Sequence, residues 1–231
     1  MSSRSALESC VILTSDGMSL HGRIFKPTHE AIKMNHSKTV FVLVHPYSKL
    51  GGCQGLMHGM ALRLSIKGFT SITFDMRGVG RSTGRSSFTG FPEIQDVVAV
   101  CTWISQNLPA QKILLVGSSA GAAIAGSAID KMYNIIGYVG MACPFGLAAS
   151  ILFWRHHRAI LESAKPKLFI MGTRDGFTSV KQLENKLQNA AGRVETHLID
   201  EVGHFGMEGP AYDAQMLLFT GSHSFYSSRI R

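Results

Sequence analysis

The order of apolar and helical segments along these 231 residues predicts an α/β fold, a mostly parallel sheet with helices on both faces. Three observations predict it. Short apolar, β-branched runs alternate with segments of helical spacing from residue 39 onward. Those runs lack the in–out alternation of a half-exposed strand, as expected where both faces are covered. Apolar residues make up 45% of the chain and charged residues 16%, which favours a large buried core over disorder. The length suits one domain, expected to span 1–231 with a loose tail over 221–231.

Residues 10–14 and 19–25 read as strands joined by the turn Ser15-Asp16-Gly17. The polar stretch 27–38 reads as a loop, and 39–44 as a strand buried on both faces. Helical spacing over 56–67 ends at Gly68, and 69–74 is another short strand. Pro92 and Pro109 bracket a helix over 93–108, where proline suits the first turn and the position past the end. Strands at 113–116, 135–141, 167–171 and 194–199 then alternate with helices from Ser119, over 147–161, over 179–190 and over 210–219. Such alternation implies right-handed crossovers and parallel strands.

The formal charge is +8, but lysine and arginine are scattered and the densest cluster, Arg155-His156-His157-Arg158, is short. A solvated surface with a mild preference for anions is the expectation, with no nucleic acid partner. Cys10, Cys53, Cys101 and Cys143 form no Cys-x-x-Cys pair, and no histidine pair has ligand spacing, so no metal and no other cofactor is expected. No apolar signal core follows Met1, and a cytoplasmic protein is the expectation. Residues 132–154 carry no charge, yet Pro144 and several glycines interrupt them, which argues against a membrane span.

Chemistry-bearing residues fall where strands of a parallel sheet end, the edge at which such sheets bind ligands. Gly117-Ser118-Ser119-Ala120-Gly121 follows the run 112–116 and opens a small-residue helix. A serine between glycines at this spacing fits a sharp strand-to-helix turn that exposes its hydroxyl. Ser119 needs a base to take its proton, and His204, beside Gly203 beyond the last strand, fits that need. Asp175, in a turn after a strand, is the candidate to orient the imidazole, with Asp200 and Glu201 as alternatives. His156, His157, His197 and His223 take structural roles in this reading. Backbone amides of Ala120 and Tyr47 are candidates to hold an oxyanion, since Pro46 has none to give.

On these residues the chain resembles the α/β-hydrolase superfamily over about 10–220. His45-Pro46-Tyr47 with Gly51-Gly52 resembles the oxyanion loop of its compact branches, dienelactone-hydrolase-like and serine-aminopeptidase-like. Asp75-Met76-Arg77-Gly78-Val79-Gly80-Arg81-Ser82 resembles a structural turn of the superfamily, Gly117–Gly121 its nucleophile elbow, Gly172–Asp175 its acid turn and Gly203-His204 its histidine loop. The resemblance implies a serine hydrolase with a Ser119–His204–Asp175 triad, acting on a small-molecule acyl ester or thioester. Many relatives insert a cap domain where this chain has only residues 142–165. That implies an open site without a large cap, with His45, Phe153 and Trp154 as candidate substrate contacts. Peptidase, acyltransferase, lyase and ligand-receptor readings use the same residues.

Overall fold

The computed structural model describes residues 6–34 and 38–207. The helix expected over 210–219, the tail over 221–231 and His223 lie outside the described residues. Strands β1 (Ala6–Leu13), β2 (Ser19–Lys26), β3 (Thr39–Val44), β4 (Thr70–Phe74), β5 (Lys112–Ser118), β6 (Ile135–Met141), β7 (Lys167–Gly172) and β8 (Val194–Ile199) form one sheet in the order β1-β2-β4-β3-β5-β6-β7-β8. β1–β2 and β2–β4 pair antiparallel, and every other neighbouring pair is parallel. This is an α/β-hydrolase fold.

The continuous apolar strands are explained by two cores. Val40, Val42 and Val44 face one, with Ile72, Val97 and Ala122. Phe41 and Leu43 face the other, with Met57, Leu64 and Val116. Helices α3 (Phe91–Asn107), α4 (Ala120–Ser127) and α5 (Leu147–Glu162) serve the first face, and α2 (His58–Ile66) the second. Helix α6 (Val180–Leu187) starts at a capping box, in which Ser179 accepts from the Gln182 amide and Gln182 returns the bond.

Three local readings change. The stretch expected as a loop holds a short helix, α1 (His29–Met34), started by Thr28, whose hydroxyl accepts from the Ala31 amide at 3.2 Å. Among its described side chains Ala31 is the one that packs inward, so a polar composition hides the helix. The helix expected over 56–67 is divided into a 3-10 turn, Gln54–Met57, and α2. Helix α5 kinks at Phe153 (φ −111°, ψ 15°). It is the sole helix between β6 and β7, so among the described residues no large cap covers the carboxyl ends of the strands.

Candidate active site

Ser119 stands between β5 and α4 with φ +52° and ψ −125°, a conformation that costs a non-glycine residue about 1–3 kcal/mol. Its amide donates to the Met141 carbonyl at 2.8 Å and its carbonyl accepts from Ala122 at 2.9 Å. Two glycines make the turn possible. A Cβ at Gly117 would land on the Gly121 carbonyl, and one at Gly121 on the His45 carbonyl. Helix α4 therefore starts pressed against the end of β3.

Two further loops converge on the hydroxyl. The Ser119 Oγ lies 2.8 Å from His204 Nε2, and His204 Nδ1 lies 2.7 Å from Asp175 Oδ2. An ionised carboxylate only accepts, so Nδ1 carries the proton and Nε2 accepts from the serine hydroxyl. The other Asp175 oxygen, Oδ1, accepts from the amides of Phe177 and Thr178 at 2.8 and 2.9 Å. Both Asp175 and His204 are buried. The loops are bonded to each other through Thr173 and Arg174, whose amides donate to Ile199 and Val202. Asp200 and Glu201, the alternative carboxylates, are engaged elsewhere. Asp200 accepts from the Thr173 hydroxyl, and Glu201 pairs with Arg174.

On the opposite side lies the loop after β3. The Tyr47 carbonyl accepts from the amides of Leu50 and Gly52, which closes it into a compact turn. Among the described residues the amides of Tyr47 and Ala120 make no internal hydrogen bond. The site thus combines a serine hydroxyl bonded to a buried His–Asp pair with two uncommitted backbone donors, Ala120 at a helix start where the dipole favours negative charge. Among the described residues no cluster of histidine, cysteine and carboxylate side chains could hold a metal.

Residues 35–190 match the Hydrolase_4 family, serine aminopeptidase S33. The chain belongs to this family. A Rickettsia prowazekii protein of uncharacterised function is 28% identical over 144 residues, 60% of this chain and 58% of its own length. The match therefore spans less than two thirds of that relative. A Xanthomonas campestris serine hydrolase without a lid superposes with a TM-score of 0.76 at 21% identity, covering 99% of this chain and 98% of that one. A Pyrococcus furiosus esterase gives 0.76 at 20% identity, covering 96% and 92%. As an S33-family member the protein has the lidless α/β-hydrolase fold. The matched stretch holds Ser119 and Asp175 but ends before His204, whose assignment rests on geometry.

In this S33-family chain the contacts expected for substrate divide. His45 is fully buried and faces no open site. Its Nδ1–H donates to the Pro46 carbonyl at 2.7 Å and its Nε2 accepts from the Met76 amide at 3.1 Å. Burial holds its pKa below the usual histidine value, so it is a neutral brace for the loop and not a substrate contact. Phe153 is buried at the kink of α5 against Ala120 and Ala123, with Tyr47 alongside. Trp154 is exposed.

Two aromatic residues escape a reading by motif. Phe177 packs its ring 4.4 Å from the His204 ring and 5.8 Å from that of Phe205, which itself edges His204. Both phenylalanines are exposed, forming an apolar lip around the imidazole. The signal available was Phe177's place two residues after Asp175, and Phe205's directly after His204.

Proposed function

We propose that the protein hydrolyses a carboxylic ester or thioester through an acyl-enzyme on Ser119. The observation that carries this reading is the pair of consecutive hydrogen bonds, Ser119–His204 and His204–Asp175, on a serine held in strained backbone. Ser119 Oγ attacks the acyl carbonyl carbon as its proton passes to His204 Nε2. Asp175 stabilises the imidazolium, and the amides of Tyr47 and Ala120 bind the oxyanion. Collapse of the tetrahedral adduct breaks the bond to the alkoxide or thiolate, which takes the proton from His204. Water then attacks the acyl-serine with His204 as base, releasing the carboxylic acid and restoring the hydroxyl.

Two features favour an ester or thioester over a peptide with a free amino terminus. Recognition of an ammonium group calls for an uncommitted carboxylate at the mouth, and among the described residues Asp200 and Glu201 are tied to Thr173 and Arg174. The lip itself is apolar, Phe177 and Phe205. Likeness to the Pyrococcus furiosus esterase agrees with this choice.

A fluorophosphonate probe tests the reading directly. It should label Ser119, and Ser119→Ala should abolish both labelling and hydrolysis of p-nitrophenyl acetate, with kcat falling on the order of 10⁶-fold. Labelling elsewhere, or unchanged turnover in Ser119→Ala, would exclude acyl chemistry at this residue.

A further inference from the structure

Leu147 and Ile151 lie at i and i+4 on α5, one above the other on a helical face, and Trp154 follows directly after the kink at Phe153. They are 81%, 82% and 56% exposed, whereas Phe153, His156, His157 and Ile160 of the same helix are buried. Three large, exposed apolar side chains so close along the chain mark an interaction surface. Leu147, the first of them, adjoins the mouth of the site. Gly146, just before Leu147, sits so close to the Phe177 carbonyl that a Cβ there would collide with it. Phe88, exposed beyond Tyr47, extends the apolar surface on the far side, where its carbonyl accepts from the Tyr47 hydroxyl at 3.2 Å.

Charge identifies the partner. Residues 45–57, 76–92 and 142–161 contain no aspartate or glutamate, and of the acidic residues directly flanking them Asp75 and Glu93 are buried and Glu162 pairs with Arg158. They contribute the exposed cations Lys49, Arg81, Arg85, Arg155 and Arg158. Lys49 lies over the Phe88 ring at 5.0 Å, and Arg155 over Phe91 at 4.8 Å, so cations and apolar rings share the surface. Only Arg158 among them has an acidic partner on its own helix, Glu162.

We propose that this face docks on an anionic phospholipid surface, with Leu147, Ile151 and Trp154 inserted and the arginines at headgroup level. An amphipathic helix with large apolar residues on one side and basic residues beside them suits the plane of a bilayer interface. Tryptophan favours that depth, and arginine stems reach back to the headgroups. A second copy of the chain is the poorer occupant, because its own cationic rim would meet this one. Docking would set the mouth of the Ser119 site against the lipid surface.

Vesicle co-sedimentation tests the proposal without turnover, so its outcome is independent of the reaction at Ser119. The intact chain should partition onto equimolar phosphatidylglycerol–phosphatidylcholine vesicles and not onto phosphatidylcholine alone. Its tryptophan emission should shift to the blue, since Trp154 is one of two tryptophans in the chain. The double variant Leu147→Glu/Ile151→Glu changes exposed residues, and should lower partitioning by about tenfold or more. Arg155→Gln should lower it about fivefold on anionic vesicles. Absence of binding, equal binding to neutral vesicles, or undiminished binding of the double variant would overturn the proposal. So would a solution dimer that the double variant dissociates, which would assign the face to a second copy.

Discussion

Two clusters of buried ionisable residues are anchored to the same sheet edge, one around Arg77 and one around Ser119, and they differ in where their hydrogen bonds end. Arg77 donates through its backbone amide and guanidinium to Asp96 at 2.7–2.9 Å and through the guanidinium to Asp16 at 2.7 and 3.2 Å. Burial works against the Arg77 charge, but the bonds it donates to Asp96 and then to Asp16 outweigh it and hold its pKa above the ordinary value. Asp75 nearby accepts from the backbone and side-chain amides of Gln54 at 2.9 and 2.7 Å. The buried bonds there all end on protein groups, and only Asp16, at the rim, also meets solvent. Around Ser119 the chain begins with two amides on Asp175, crosses His204 and stops at a hydroxyl beside two unbonded amides. A polar cluster that closes on itself braces the fold, and one left open has a valence to offer a substrate.

Asp175→Asn sharpens this contrast most. Asp175 Oδ1 accepts two backbone amides, so an asparagine oxygen must remain there and its NH₂ must face His204 Nδ1. The imidazole is then forced into the tautomer with its proton on Nε2, pointing at the serine it should deprotonate. Hydrolysis of p-nitrophenyl acetate should fall on the order of 10⁴-fold in kcat. The thermal midpoint should move by only a few degrees, because the variant keeps every bond but one. Equal losses of activity and stability would mean that Asp175 serves only to brace the turn.

Arg77→Leu should give the reverse pattern. It leaves Asp96, which is fully buried, without its counter-charge, at a cost of about 3–5 kcal/mol in a urea titration at pH 7. The fraction that remains folded should hydrolyse ester at close to the parental rate. A large drop in kcat per folded molecule would show that the two clusters are coupled, and that the division between brace and site is drawn in the wrong place.

How much of this was legible in the sequence follows from how local each signal is. β3 and β6 occupy the residues expected of them because their apolar runs are bounded by turn residues, and β8, though partly polar, because its β-branched residues follow the turn at Gly192. β1 starts at Ala6, four residues before the expected strand, since Ala6–Ser9 are exposed or polar and are fixed only by pairing with β2. Ser119, Asp175 and His204 each sit in a short motif that names its own chemistry. The role of His45 is decided by the Met76 amide 31 residues away, which no local pattern reports. Phe177 belongs to the site through a ring 27 residues further on, and an aromatic residue in a loop has no motif to announce that.

His157 supplies the smallest test, and approaches the comparison from the other side. It is buried on α5 against Phe145, with rings 4.6 Å apart, and among the described residues neither ring nitrogen makes a well-formed hydrogen bond, the Pro144 carbonyl offering only a weak one. Burial first, and the charge of Lys186 second, lower its pKa to about 4. Between about pH 6.5 and 4 the unfolded chain therefore binds a proton that the folded chain refuses. Its contribution to stability is complete above that window and falls as the pH drops through it. His45 and His156, also held below the usual value by burial, add to the same acid limb. His157→Leu removes the titrating group along with two poorly satisfied nitrogens, so urea midpoints measured at pH 7.5 and 4.5 should lie closer together than in the parent. Stability at pH 7.5 should be unchanged or higher by about 1 kcal/mol. A loss there of more than about 1 kcal/mol would show that the imidazole is satisfied after all, for example by a buried water. An open valence is useful only where substrate can reach it, and here, sealed beneath α5, it is a cost that leucine removes.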